Sequence, residues 1–241
     1  MRVCSWNVLL GLRLGKVLET VRTREDFRDL DLFALQEASV HDGRPDAEAI
    51  AEALGSGYEH YQATAQRIRG RLQANALIWR QGLFEAEPEV VSLSELPDLR
   101  LTRIERTLLR AIPPQRRIAI RAESPRLRVY VMHLDLIGFA HKLEQFRAIV
   151  NDIAKRPPVP LTLLAGDLNT FGPPRLRLWR QIRRAAHEAG LVELTHGLRR
   201  THWTGQKLDA IYAGGVISPT HRAWTLSVRA SDHLPVFAEL R

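Results

Sequence analysis

Leu-Thr-Leu-Leu-Ala-Gly-Asp-Leu-Asn, residues 161–169, is an apolar run that stops on a glycine and then turns polar. The apolar part reads as a buried strand, and Gly-Asp-Leu-Asn reads as the turn that ends it. Alone, that turn has an ordinary explanation, because Asp and Asn bond nearby backbone amides and favour turns and helix caps. Three other runs are built the same way. Asn7 ends Val-Cys-Ser-Trp, Glu37 ends Leu-Phe-Ala-Leu-Gln, and His133 ends Val-Tyr-Val-Met. Side chains at strand ends can converge from distant positions onto one rim of a sheet, where a rigid scaffold presents chemistry.

Working outward, strand-like runs recur at 2–7, 32–36, 58–64, 74–79, 117–121, 128–133, 161–165, 208–212 and 234–240. Helical periodicity lies between them, at 14–27, 46–54, 141–154 and 175–189. Many strands with a few interspersed helices predict an α/β (α+β) sandwich of mixed sheets covered by helices. The 241 residues contain no internal repeat, low-complexity tract or dividing linker, so one domain over 1–241 is expected. Hydrophobic residues at 45% and charged residues at 26% exclude disordered and fibrous classes. The one cysteine, Cys4, excludes an internal disulfide and a cysteine-cluster zinc site, and its apolar setting reads as a buried structural thiol.

No run approaches the roughly 18 apolar residues of a membrane span. The opening Met-Arg-Val-Cys-Ser-Trp-Asn has no apolar leader core, so a cytoplasmic monomer is expected. Lys and Arg number 35 against 27 Asp and Glu, a net charge of +8 that favours polyanions, either nucleic acid or anionic lipid. Lysine stands only at 16, 142, 155 and 207, so arginine carries the excess; a bias in genomic base composition gives the same skew.

The order of the polar residues is more specific than any one of them. Trp-Asn at 6–7, Gln-Glu at 36–37, Asn-Ala at 75–76, His-Leu at 133–134, Gly-Asp-Leu-Asn at 166–169, Leu-Asp at 208–209 and Ser-Asp-His at 231–233 follow in turn. This series resembles the endonuclease/exonuclease/phosphatase family of metal-dependent phosphoesterases, from Trp6 to Pro235. Ser231-Asp232-His233-Leu234-Pro235-Val236 is its most specific part. The resemblance implies a four-layer αββα sandwich, two mixed sheets face to face with helices outside.

It also implies a division of labour. Hydrolysis of a phosphate ester builds negative charge on the equatorial and leaving oxygens, so the site must supply cations and oriented donors. A hard ion such as Mg²⁺ (or Mn²⁺) takes oxygen ligands and needs only one or two carboxylates. By resemblance, Glu37 is the main metal carboxylate, with Asn7 and Asp232 close to metal and phosphate. Asp167 corresponds to the residue that orients or deprotonates the attacking water, and Asn169 to one that holds the water or the phosphate. His233 corresponds to a phosphate donor, most useful as imidazolium, and Asp209 to the carboxylate that buttresses it. His133 matches a leaving-group acid, Asn75 an asparagine near the phosphate, and Arg117 (or Arg116) a frequent substrate-side arginine.

There are departures. Leu9 replaces the second acidic metal residue of abasic-site endonucleases, and His133 stands where those enzymes use a tyrosine-bearing segment, so abasic-site repair is disfavoured. Trp79 replaces a common serine and Met132 the usual threonine before His-Leu, neither of them a proposed catalytic group. Two arginine-rich amphipathic segments, 99–112 and 175–184, read either as sheet-packing helices with solvated faces or as contacts to a nucleic-acid backbone or an anionic membrane. Arg-Thr-His-Trp at 200–203 and Leu-Asp-Ala-Ile-Tyr at 208–212 resemble small bacterial members of unassigned substrate, some neighbouring phospholipid synthesis. A DNase I-like nuclease acting on DNA is therefore the leading expectation. A phosphodiesterase for phospholipid-related substrates at a membrane surface is the alternative, and an inactive nucleic-acid-binding module comes third.

Overall fold

β1 (Arg2–Asn7) shows within six residues how the layers are made. Val3 points into a core between two sheets, whereas Cys4 and Trp6 point the opposite way, under helices. Period-2 alternation with both faces apolar is the signature of a strand covered on both sides. The computed structural model describes residues 1–68, 70–95, 115–172, 177–215 and 220–241.

From β1 the chain runs through α1 (Leu14–Thr23), β2 (Leu32–Ala38), the short hairpin β3 (Val40–His41) and β4 (Arg44–Pro45), and α2 (Asp46–Leu54). The long hairpin β5 (Tyr58–Ile68) and β6 (Arg71–Arg80) is followed by β7 (Glu89–Ser92), β8 (Ile118–Glu123) and β9 (Leu127–His133). Next come α3 (Phe139–Ala154), β10 (Leu161–Asp167), α4 (Arg177–Glu188), β11 (Leu191–Glu193), β12 (Asp209–Gly214), β13 (His221–Thr225) and β14 (Val236–Leu240).

One six-stranded sheet has the order β13-β14-β1-β2-β6-β5 and the other β11-β12-β10-β9-β8-β7. Both are mixed: β1 runs parallel to β2 and antiparallel to β14, and β10 parallel to β9 and antiparallel to β12. Val17, Val21 and Ile50 of α1 and α2 pack on the outer face of the first sheet against Trp6, Phe33 and Leu35. Phe146, Ile149, Trp179 and Ile182 of α3 and α4 pack on the second against Tyr130, Leu164 and Tyr212. The expected αββα sandwich is present. Cys4 is fully buried, and burial pushes its thiol well above its ordinary range, as a structural cysteine requires.

Several expected boundaries move for identifiable reasons. The helix expected over 14–27 ends at Thr23, because Arg24 is extended and a separate 3₁₀ turn follows at Glu25–Phe27. β7, β11 and β13 are absent from the sequence reading; each lies at a sheet edge, where one-sided packing leaves little alternation to detect. The segment 99–112 lies outside the described residues. In 175–184 the described helix begins at Arg177, and its apolar side is buried on the sheet, so this segment includes a packing helix.

Gly166 is the backbone condition for the whole rim. Its φ is +153°, and a Cβ there would lie 1.8 Å from the carbonyl oxygen of Met132 on β9. Close approach of β9 and β10 at this point therefore requires glycine. Gly166→Ala is expected to destabilise the fold by more than about 3 kcal/mol, lowering Tm by about 10 °C. A thermal melt checks this, and an unchanged Tm would refute the contact.

Candidate active site

The polar residues continue apolar stripes. On β9, Val129 and Val131 fill the core between the sheets and His133 is the next residue on that face. On β10, Leu163 and Ala165 precede Asp167, and on β12 Ile211 and Ala213 follow Asp209. The register lines up these ends: Asp167 pairs with Asp209 on one side and His133 on the other. Across the gap, Asn7 continues the inward stripe of β1, and Asn75 that of β6 with Leu77 and Trp79.

Glu37 breaks this parity, and a bulge explains how. In β2, Leu32 and Ala34 face inward while Phe33, Leu35 and Ala38 face the helices. Strict alternation would send Glu37 outward with Leu35. Between Leu35 and Ala38 the pairing with β6 slips, because Leu35 faces Ala76 but Ala38 faces Ala74. Glu37 takes φ +53° within this extra residue. Bulges re-aim a side chain beside active sites, and here the carboxylate comes within 3.8 Å of His133 Nε2.

A second set of bonds ties in the loop of residues 231–233. Trp6 Nε1 donates to the His233 carbonyl at 2.9 Å, and Ser231 Oγ to the Asn7 carbonyl at 2.7 Å. His233 Nδ1 lies 2.9 Å from Asp209 Oδ2, and its Nε2 lies 3.7 Å from Asp167 Oδ2. Asp167 accepts from Asn7 Nδ2 at 3.1 Å and from the Asn169 amide at 2.8 Å. Asn169 Nδ2 donates to the Leu134 carbonyl at 2.9 Å. Asn7, Glu37, His133, Asp167, Asn169, Asp209, Asp232 and His233 thus meet at one end of the sandwich.

Their electrostatics are strongly perturbed. Burial lowers His233, but the charges of Asp209 and Asp167 outweigh it and raise its pKa to about 10. Burial raises Asp167 to about 6, against the pull of His233. Burial also raises Glu37, opposed by Arg117 and His233. In Asp232 burial is outweighed by its bond with His202 and the charge of His233, so its carboxyl is held below the ordinary range.

Three expected roles change. Arg117 does not face the rim: its guanidinium is buried and donates from one NH group to His133 Nδ1 at 2.9 Å. Since arginine only donates, His133 Nδ1 is an acceptor and the ring proton sits on Nε2. Burial, with Arg117 and His233 nearby, holds His133 well below its ordinary pKa. The neutral ring so favoured presents its Nε2 proton toward Glu37 and Asp167. Asn75 commits an N–H to the Ile118 carbonyl at 2.8 Å, stitching the two sheets together.

The structure also brings in residues that sequence reading passed over. Thr201 Oγ1 accepts from the amides of Leu208 and Asp209 at 2.8 and 3.1 Å, fixing the start of β12. His202 Nε2 lies 3.7 Å from Asp232 Oδ2, and its ring meets that of His233 edge-on at 4.6 Å. Trp203, 71% exposed, hangs beside them with its amide bonded to the Asp232 carbonyl at 2.8 Å. The one available signal was the Arg-Thr-His-Trp motif.

The donor chemistry suits a hard divalent cation. Glu37, Asp167, Asp209 and Asp232 outnumber the cations Arg117 and His233, so the site carries excess negative charge before any phosphate arrives. Glu37, Asp232 and the amide oxygen of Asn7 are hard donors. Among the described residues, two groups bring His or carboxylate ligand atoms within 4.8 Å of one another: His202, Asp232 and His233, and Asp167, Asp209 and His233.

Comparison with known proteins agrees with this geometry. An endonuclease/exonuclease/phosphatase from Bacteroides vulgatus superposes with a TM-score of 0.72 at 15% identity, covering 100% of this chain and 98% of that one. The human nocturnin catalytic domain with bound sulfate gives 0.67 at 18% identity, covering 100% and 93%. Truncated Caenorhabditis elegans TDP2 gives 0.61 at 18% identity, covering 99% and 96%. At such identities the likeness establishes the shared fold. No curated protein matches the chain. The sequence pattern of the Endonuclease/Exonuclease/phosphatase family, however, matches residues 4–233, so the chain belongs to that family and is a metal-dependent phosphoric ester hydrolase.

Proposed function

We propose that this enzyme is a DNase I-like nuclease that hydrolyses the phosphodiester bonds of DNA with Mg²⁺ or Mn²⁺. The carrying observation is that Asp167, Asn169 and the pair of His233 and Asp209 converge at one rim of a chain with net charge +8. Asp167 takes the proton of the attacking water. A pKa near 6 makes it a stronger base than an ordinary carboxylate while leaving it ionised at neutral pH.

Asn169 holds that water. Its Nδ2 donates to the Leu134 carbonyl, so its Oδ1, which can only accept, is turned the other way. His233 donates from Nε2 to a non-bridging phosphate oxygen as imidazolium, with Asp209 keeping the proton in place. His133, a neutral donor through Nε2, lies 3.6 Å from Asp167 and 3.8 Å from Glu37 and orients these carboxylates. Arg117 and Asn75 act behind this layer. Glu37, Asn7 and Asp232 would hold the cation, which would polarise the phosphoryl oxygen and stabilise the departing one.

Two features favour nucleic acid. The positive charge suits a polyphosphate backbone. The exposed ring of Trp203 beside His202 offers a flat face to a base, a contact worth about 1–3 kcal/mol where bases stack.

The test is a panel of plasmid DNA, single-stranded and abasic oligonucleotides, RNA, phospholipid vesicles and phosphomonoesters, each with Mg²⁺, Mn²⁺ or EDTA. Metal-dependent cleavage of DNA that weakens steeply with salt is expected. Glu37→Gln is expected to need at least about tenfold more metal for half-maximal rate. Hydrolysis of vesicle phospholipid with DNA left intact would overturn the DNA reading in favour of a lipid phosphodiesterase.

A further inference from the structure

We propose that Lys142 of α3, seconded by Trp179 of α4, is a positioning residue for hydrolysis: it holds Asn169 in the backbone conformation that aims its amide at the attacking water. The inference rests on the role given to Asn169 above.

Asn169 is a non-glycine residue in the left-handed region, with φ +49°. Asparagine enters this region more readily than most side chains, yet which conformation it keeps is set by the bonds around it. Lys142 Nζ donates to the Asn169 carbonyl at 2.6 Å, and Trp179 Nε1 donates to the next carbonyl, of Thr170, at 3.2 Å. Two helices thus send one donor each to successive peptides of the turn that carries Asp167 and Asn169. On its other side the turn is fixed by the Asn169 amide on Asp167 and by Asn169 Nδ2 on the Leu134 carbonyl. Rotating residue 169 out of the left-handed region would swing its carbonyl away from Nζ and its side chain away from the rim.

The identity of the donor is informative. Lys142 is 2% exposed, and a buried ammonium is costly unless its hydrogen-bonding capacity is used. Two of the four lysines are buried: Lys207 is paired with Glu193, whereas Lys142 donates to the Asn169 carbonyl. A compact ammonium on a slender stem can reach one carbonyl from the first turn of α3, where a planar guanidinium is wider.

The experiment measures kcat and KM on a phosphodiester with metal saturating, in a double-mutant cycle. Lys142→Met keeps the stem and removes the donor. Its kcat is expected to fall about 100-fold, the cost of a small misplacement at a reacting centre, with KM unchanged. In an Asn169→Ala background the same substitution should cost less than about twofold, because no side chain is left to position. Exogenous ethylammonium should restore part of the rate to Lys142→Ala but none to the double variant. Additive losses, or an unchanged kcat in Lys142→Met, would overturn the proposal.

If Lys142→Met does not fold, Trp179→Phe carries the test, because it keeps an aromatic ring and removes one N–H. A kcat loss that disappears in Asn169→Ala supports the clamp, and a loss that persists there, or none at all, overturns it. Full activity in Asn169→Ala alone would instead remove the role given to Asn169, an outcome distinguishable from failure of the clamp.

Discussion

Asp167→Asn is expected to lower kcat by about three orders of magnitude, the middle of the range for a positioned general base, while KM and the fold change little. The carboxylate is 1% exposed, sits at the end of β10 and is held through both oxygens, by the Asn7 amide and the Asn169 backbone. Asparagine fills the same volume and can still accept from Asn169. It offers no base, and its NH₂ group would face the NH₂ of Asn7, which costs one hydrogen bond while the Asn7 oxygen stays on the Leu9 amide. Removing this charge also takes one of the two main supports from imidazolium His233. Both consequences act on turnover more than on ground-state binding. In the wild type, rate should fall with decreasing pH as Asp167 protonates near pH 6; a cation bound nearby moves this limb lower. Single-turnover rates over pH 4–11, with a thermal melt as control, check the assignment. A raised KM with kcat preserved would show that Asp167 binds substrate rather than activating water.

Much of this site was legible because the proposed catalytic residues sit at the ends of otherwise apolar strands. Val129, Val131 and His133, or Leu163, Ala165 and Asp167, form single stripes that change character at the last position, and that change is visible in a linear sequence. A sandwich of mixed sheets covered by helices was legible in the alternation of strand-like runs and helical periodicity, while the four-layer αββα arrangement came from the family resemblance. Three things were not legible. The turn of Glu37 into the site depends on a β-bulge and a left-handed residue, and alternation alone points it the wrong way. The partner of a buried group cannot be read from residue type: the resemblance points Arg117 toward substrate, whereas its guanidinium bonds His133. Residues that act through backbone carbonyls leave no chemical mark at all: Lys142 and Trp179 read as ordinary positions on amphipathic helices.

Asp209→Asn should shift the alkaline limb of the rate profile downward by about 1–3 pH units, the usual effect of an opposite charge at hydrogen-bond distance. His233 is enclosed, and burial alone would keep it neutral. It is charged because Asp209 lies 2.9 Å from Nδ1, with Asp167 and Asp232 adding to it. The other groups facing the ring are Glu37, His202 and His133; the carboxylate of Glu37 also favours the cation, while His133 is neutral. Asparagine keeps an oxygen for Nδ1–H and loses the charge. Burial then gains ground, and the proton leaves at lower pH. At pH 6 the variant should retain rates within a few-fold of wild type, and at pH 9 the loss should run from about twofold for a shift of one unit to about 100-fold for three. Stability supplies an independent reading of the same pair. A histidine whose folded pKa is raised from 6.5 to about 10 contributes fully below pH 6.5 and loses that contribution as pH rises through 10. The Tm difference between wild type and Asp209→Asn should therefore be largest near pH 6 and shrink toward pH 10. An alkaline limb that stays in place would remove Asp209 as the group that charges His233. A limb that moves while the Tm difference stays constant would place the pairing in the substrate complex rather than in the free enzyme.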